Sequence, residues 1–257
     1  MKIVIITRNE PFFVPIYLAR IFEERHREII AVFIDDNPSP HLSKIDLLKL
    51  CGFKKFIFLS IAFIIYRILG KLQLQREGRY FYSVQALAKC YNIRVKRNLS
   101  VKTPAFYKSL RETKPDILLS VGNSQLIPKN ILSISNLICL NTHGSLLPKF
   151  KGILTAFWML YNGENEGGVS IHLITEKIDQ GRILGQRYFD ITNHDSVMTI
   201  YKKIALSGSE LITATLNSIE TDNVKYIAKK DDEKDVYYSV PDTEEINRFK
   251  GMGNMFY

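Results

Sequence analysis

KIVIITRNEPFFVPIYLARIFEERHREIIAVFIDD, running from Lys2 to Asp36, decides the fold class. KIVIIT (Lys2–Thr7) is a short β-branched run with the look of a buried strand. Phe13, Ile16, Tyr17, Arg20 and Ile21 then recur at helical spacing, predicting a helix over Phe13–Glu24. EIIAVFIDD (Glu28–Asp36) is a second strand, closed by Asn37-Pro38-Ser39-Pro40. Strand, helix and strand in that order form a crossover unit, the seed of a parallel sheet.

Further strands follow in DILLSVG (Asp116–Gly122), LICLNTH (Leu137–His143), GGVSIHLIT (Gly167–Thr175) and RILGQRYFDI (Arg182–Ile191). TAFWMLYNG (Thr155–Gly163) reads as a helix, and Asp195 or Ser196 opens a long amphipathic one to about Ile219. The expected class is therefore α/β, a mostly parallel sheet flanked by helices over residues 1–221. Composition changes after Thr221, and residues 222–257 are expected to form a small α+β appendage. That segment would hold a strand or two and a helix capped at Asp242-Thr243-Glu244-Glu245.

Residues 41–112 read as mostly helical, with Ser43 capping KIDLLKL. Within them lies FKKFIFLSIAFIIYRILGK (Phe53–Lys71), too interrupted by Ser60 and Arg67 for a spanning helix. The plain reading is a buried helix. The sharper reading is an interfacial helix, flanked by Lys54, Lys55 and Lys71, in peripheral contact with a membrane.

The 257 residues carry 46% apolar and 24% charged side chains, ordinary globular values. A net charge of +9 favours anionic partners without choosing among nucleic acid, membrane and phosphorylated small molecules. Cys51, Cys90 and Cys139 are an odd set without a CxxC pair, which suits a reducing cytoplasm better than a disulfide scaffold. MKIVIITRNE has too short an apolar stretch for a signal peptide, so a cytoplasmic location is expected.

Several chemistries are disfavoured. His26, His41, His143, His172 and His194 show no metal-ligand spacing, and no metal is expected. TRNEPFFVP after the first strand has no glycine with which backbone could approach a phosphate, against a dinucleotide or P-loop site. No GxSxG elbow is present. What remains is NTHGSLLPKFKG (Asn141–Gly152). Asn141 and His143 alternate at a strand end and so share one side. An amide donates to a developing oxyanion, an imidazole accepts a proton near neutral pH, and Asp179 in the polar loop EKIDQG is the best candidate carboxylate. On spacing alone, a capping Asn and a satisfied surface His remain open. His172, alternating with Ser170 and Ile174, reads as core or as support for the site, with direct chemistry as the alternative.

Asn141-Thr142-His143-Gly144-Ser145-Leu146-Leu147-Pro148, the basic stretch Lys149-Phe150-Lys151-Gly152, and the downstream Ile178-Asp179-Gln180-Gly181 together resemble the signature of formyltransferases that use 10-formyltetrahydrofolate. The resemblance covers about Asp116–Ile219; the N-terminal unit agrees in type alone. It implies a Rossmann-like sheet, 10-formyltetrahydrofolate as cosubstrate, Asn141 polarising the formyl oxygen, His143 as general base and Asp179 as the orienting, proton-transfer carboxylate. The implied folate pocket maps onto Gln125, Leu126 and Ile127, onto Thr175, Glu176 and Ile178, and onto the turn at Leu147.

The short segment after Thr221 does not resemble the large C-terminal domain of methionyl-tRNA formyltransferases, which argues against tRNA. TRNEPFF does not resemble the phosphate loop of glycinamide ribonucleotide enzymes. By elimination the chain is most similar to sugar N-formyltransferases, which implies a nucleotide-linked amino sugar and no nucleic-acid partner. Arg8, Asn9, Lys149 and Lys151 are the candidate substrate contacts. The alternatives are a methionyl-tRNA formyltransferase-like activity, a formyltetrahydrofolate hydrolase, and a non-catalytic, membrane-associated binder of folate or nucleotide. The C-terminal tail offers a surface through which a homodimer could form.

Overall fold

The computed structural model describes residues 1–36, 42–74, 81–97, 100–123, 125–228 and 236–257. The expected stop at Asn37-Pro38-Ser39-Pro40 lies outside them. The first half runs β1 (Ile3–Arg8), α1 (Val14–Arg25), β2 (Ile29–Asp35), α2 (Lys44–Cys51), α3 (Phe53–Lys71), α4 (Val84–Cys90), β3 (Val95–Arg97) and α5 (Pro104–Thr113). Then come β4 (Ile117–Val121), α6 (Lys129–Leu132), β5 (Ile138–His143), β6 (Lys151–Gly152) and α7 (Thr155–Tyr161). The chain ends with β7 (Glu166–Leu173), β8 (Ile183–Asp190), α8 (Val197–Glu220), β9 (Tyr237–Tyr238) and α9 (Thr243–Gly251).

Seven strands form one sheet in the order β3-β2-β1-β4-β5-β7-β8. The first five are mutually parallel; β7 and β8 run antiparallel at the far edge. The β1 side chains show why both faces are covered. Ile3 and Ile5 enter one apolar cluster with Leu18, Phe22, Ile204 and Ile212, from α1 and α8. Val4 and Ile6, pointing the other way, enter a second cluster with Phe106, Leu110 and Ile131, from α5 and α6. A strand with two buried faces must be apolar throughout, which is why IVIIT is a run and not an alternation.

The expected caps are present. Ser43 and Asp46 form a capping box on α2, and Asp242 and Glu245 form one on α9. The long helix begins at the cap Ser196. β3, α6 and the two-residue strand β6 were not legible. β3 is a three-residue edge strand inside a stretch that reads as helical, and VKR carries no apolar run because its burial is partial. α6 is a single short turn.

α3 corrects the buried-helix reading. It spans Phe53–Lys71 as expected, but among its residues Leu59 and Gly70 alone are fully buried. Its inner side rests on aromatic contacts from the loop after β1, with Phe12 at 5.1 Å from Tyr66 and 6.2 Å from Phe63. No helix among the described residues is long and apolar enough to cross a membrane.

At the C-terminal end, β9 pairs in parallel with β6. Phe249 of α9 stacks on Phe157 of α7 at 4.4 Å, and Ile246, Phe249 and Phe256 join the same apolar cluster as α1 and α8.

Candidate active site

The sheet changes from parallel to antiparallel at β5, which pairs with β4 on one side and β7 on the other. Its carboxyl end is where an open α/β sheet leaves a crevice. Asn141 and His143, two residues apart, project to the same side there. The β5–β7 register sets His172 directly opposite Asn141.

Asp179 reaches this point on a turn that its neighbours make feasible. Asp179 itself is left-handed, at φ 51°. A Cβ on Gly181 would lie 1.7 Å from the Leu173 carbonyl oxygen, so the return of the loop onto the end of β7 requires glycine. The Asp179 Oδ2 then sits 3.6 Å from His143 Nδ1, and Oδ1 sits 3.6 Å from His172 Nε2. Oδ2 also accepts the Gly152 backbone N–H at 3.0 Å.

The hydrogen bonds fix both imidazole tautomers. His143 Nε2 is 2.8 Å from the Phe150 carbonyl oxygen, which can act only as acceptor, so Nε2 carries the hydrogen. Neutral His143 therefore turns a bare Nδ1 toward Asp179. His172 Nδ1 likewise donates to Leu173 O at 2.8 Å. Its bare Nε2 accepts from the Asn141 Nδ2 at 3.1 Å. That bond orients the Asn141 amide and leaves its second N–H for another acceptor.

Burial pushes the His143 imidazole below its ordinary value, although Asp179 opposes the shift. Burial raises the Asp179 carboxyl, but the positive charge that His143 carries when protonated and the Gly152 N–H outweigh it and hold the group well below the usual carboxylate range. Near neutral pH the pair is thus a neutral base beside a carboxylate. Both facing atoms are hydrogen-bond acceptors.

The motif turn is held by buried polar contacts. Ser145 Oγ donates to Lys149 O at 2.7 Å, and Ser170 Oγ donates to Ser145 O at 2.7 Å. The Leu147 N–H donates to Ser170 Oγ at 2.9 Å, and Gln186 Nε2 donates to Leu147 O at 2.8 Å. These fix Leu147, whose peptide to Pro148 is cis. Phe150 O, Gly152 N–H, Ser170 and Gln186 were not anticipated. The first two are backbone groups without a side-chain signature, and the last two lie on strands whose facing partners the sequence does not state.

The other candidates are more dispersed. Gln125 is tied into the parallel edge: its Oε1 accepts from Ser100 Oγ at 2.8 Å and its Nε2 donates to Asp35 at 2.5 Å. Leu126 is exposed and Ile127 is buried in the second cluster. Thr175 Oγ1 donates to Lys177 O at 2.9 Å, Glu176 pairs with Lys129 at 3.0 Å, and Ile178 is partly exposed. Lys149 pairs with Glu164 at 3.4 Å, whereas Lys151 is buried on β6. Asn9 donates to Asp36 at 2.6 Å, and the buried Arg8 Nε has no hydrogen-bond partner among the described residues.

The α1 N-terminus is already filled. Glu10 accepts the N–H groups of Phe12, Phe13 and Val14 at 2.7, 2.8 and 3.0 Å. A carboxylate from the chain itself takes the place a glycine-rich loop would leave to phosphate. Beside it, a cleft of about 190 Å³ is lined by Asn9, Arg67, Lys71, Tyr82 and Arg97 among others.

The family model of the formyl transferases matches residues 1–216. A methionyl-tRNA formyltransferase of Caldanaerobacter subterraneus subsp. tengcongensis is 30% identical over 167 residues, 65% of this chain and 53% of that protein. The bifunctional polymyxin resistance protein ArnA of Wigglesworthia glossinidia brevipalpis is 35% identical over 53% of this chain and 22% of its own length. The match thus spans about half or less of these relatives. Among solved structures, an N-formyltransferase from Helicobacter canadensis, in complex with folinic acid and dTDP-3-aminofucose, superposes with a TM-score of 0.63 at 18% identity, over 96% of this chain and 79% of that one. Glycinamide ribonucleotide transformylase 1 from Symbiobacterium toebii gives 0.62 at 15% identity, over 86% and 88%. At such identities the structural likeness speaks to the fold. The family model spans most of the chain and includes the Asn141–Gly152 motif and the Asp179 loop, and on that ground the chain belongs to the formyl transferase family.

Proposed function

We propose that the chain transfers a formyl group from 10-formyltetrahydrofolate to the primary amine of a nucleotide-linked amino sugar. The carrying observation is the pair of facing acceptors, His143 Nδ1 and Asp179 Oδ2, 3.6 Å apart. Two lone pairs at that range call for a donor, and a primary amine has N–H groups for both.

The amine enters with one N–H toward Nδ1 and another toward Oδ2, which turns its lone pair toward the formyl carbon. The free N–H of Asn141 donates to the formyl oxygen, where negative charge develops as the new C–N bond forms. The attacking nitrogen, now carrying excess positive charge, releases a proton to His143 Nδ1. Phe150 O accepts from Nε2 throughout, and the Asp179 charge balances the imidazolium. The same proton then moves to the folate nitrogen as its bond to the formyl carbon breaks. His172 holds the Asn141 amide in its donating orientation.

The sugar substrate is supported by two features. The basic cleft beside β1 carries Arg67 and Lys71, suited to a diphosphate that the occupied α1 terminus would not take. Two structural neighbours are described with dTDP or a dTDP-linked amino sugar. The sequence relatives favour a second reading, methionyl-tRNA, which the +9 charge also suits.

The test is formyl transfer from 10-formyltetrahydrofolate to dTDP- and UDP-linked amino sugars, to methionyl-tRNA, and with no amine. Turnover with an amino sugar supports the proposal. Turnover with tRNA alone moves the chain to the second reading, and amine-independent formate release makes it a hydrolase. His143→Ala should abolish turnover while folate still binds.

A further inference from the structure

The outward side of α3 is an apolar stripe running its whole length. Phe53, Ile57, Ile61, Ile64, Ile68 and Leu72 recur at three- and four-residue steps and are between 41% and 70% exposed. Phe58 and Ile65, 52% and 46% exposed, widen the stripe on one side. With 19 residues the helix is about 28 Å long. A stripe of this size is not ordinary scattered surface hydrophobicity.

The charges say what covers it. Lys54 and Lys71 are exposed at the two ends of the stripe, and Phe53–Lys71 contains no Asp or Glu. A second copy of the helix laid antiparallel would set Lys54 against Lys71, and a parallel copy would set like on like. Neither pairing offers an acidic partner. An anionic phospholipid surface complements both features, taking the apolar side chains into the headgroup–acyl boundary and the ammonium groups onto phosphates. The helix is also fixed to the body from behind. Lys55 Nζ donates to Tyr257 O at 2.9 Å, and the Phe63 and Tyr66 rings pack on Phe12 at 6.2 and 5.1 Å.

We infer that α3 docks this protein onto an anionic bilayer, lying in its interface without crossing it. The basic cleft beside β1, lined by Arg67 and Lys71 from the last turns of α3, then opens next to the headgroup layer. The inference does not require the formyl transfer proposed above, although Lys71 lines the cleft invoked there.

The experiment is vesicle flotation of the full chain with liposomes of phosphatidylcholine alone and with about a third phosphatidylglycerol, together with light scattering. Flotation should require the anionic lipid and weaken in high salt. Ile61→Ser/Ile64→Ser and Lys54→Glu/Lys71→Glu should each cut it at least tenfold with an unchanged circular dichroism spectrum and melting temperature. The variants alter exposed side chains, so folding is expected to survive. A wild-type chain that stays at the bottom of the gradient with every lipid overturns the inference. So does a wild-type dimer that Ile61→Ser/Ile64→Ser converts to monomer, since the stripe would then belong to a second copy.

Discussion

Asp179→Asn tests the proposed chemistry most sharply because it removes charge at nearly constant shape. In the wild type the carboxylate sits 3.6 Å from His143 Nδ1. With an effective dielectric constant of about 20, an imidazolium and a carboxylate at that distance attract by about 4 to 5 kcal/mol. The Gly152 N–H draws on the same carboxylate, so the share available to His143⁺ is about 2 to 4 kcal/mol. At 1.36 kcal/mol per decade, formyl transfer should fall roughly 30- to 1000-fold. The pH profile adds a signed test. His143 is pushed below its ordinary value by burial, and Asp179 opposes that shift. Loss of the charge should therefore move the acidic limb of kcat to still lower pH while the plateau drops. The assay is release of deformylated folate at saturating amine from pH 5 to 9, with thermal melts to verify folding. A folded Asp179→Asn variant within threefold of wild type, or one whose acidic limb moves upward, refutes the arrangement.

Asn141→Ala should lower kcat about 100- to 1000-fold, as expected for loss of an oxyanion donor, with a smaller change in KM, measured by steady-state kinetics. Gly152→Ala should cost more than about 2 kcal/mol in chemical denaturation, because its backbone is at φ 102° and an added Cβ would lie 2.1 Å from Tyr238 O; turnover should fall with it. Asp195 is pulled up by burial but more strongly down, to about 2, by Lys203, the Thr192 N–H and the Thr199 hydroxyl. A depressed carboxyl contributes stability that is present above its unfolded value near 3.9 and lost as pH falls toward 2. Asp195→Asn should therefore lower stability by about 1 kcal/mol at pH 7, discounting for solvent screening, and by little at pH 2, in urea titrations at both pH values.

The parallel half of the sheet was legible because a strand buried on both faces carries an apolar run, as β1, β2 and β4 do over most of their length and β5 does over Ile138–Leu140 before its polar end. The edge strand β3 was not, since an edge needs no such run. α3 misled for the converse reason. Apolar content signals burial in general, and nothing in the periodicity of a nearly all-apolar helix says that its outer face is left uncovered. In the site, Asn141, His143 and Asp179 stood out by residue type, and their convergence rests on β5–β7 pairing and a glycine-dependent turn. The tautomer of His143 depends on a backbone carbonyl seven residues away, which no residue identity encodes.

Phe150 O sets which nitrogen of His143 is bare, and Gly152 N–H steadies the charge of Asp179. Both come from one three-residue span, and that span is gripped by β9, through the Lys151–Tyr237 and Gly152–Tyr238 pairs and the Phe150–Tyr238 ring contact at 5.3 Å. His143 and Asp179 therefore share a single mechanical support supplied from a distant part of the chain. Pulling β9 away would unsettle the proposed proton acceptor and its proposed counter-charge together, so damage to that remote pair of tyrosines should read out as lost chemistry before it reads out as lost fold.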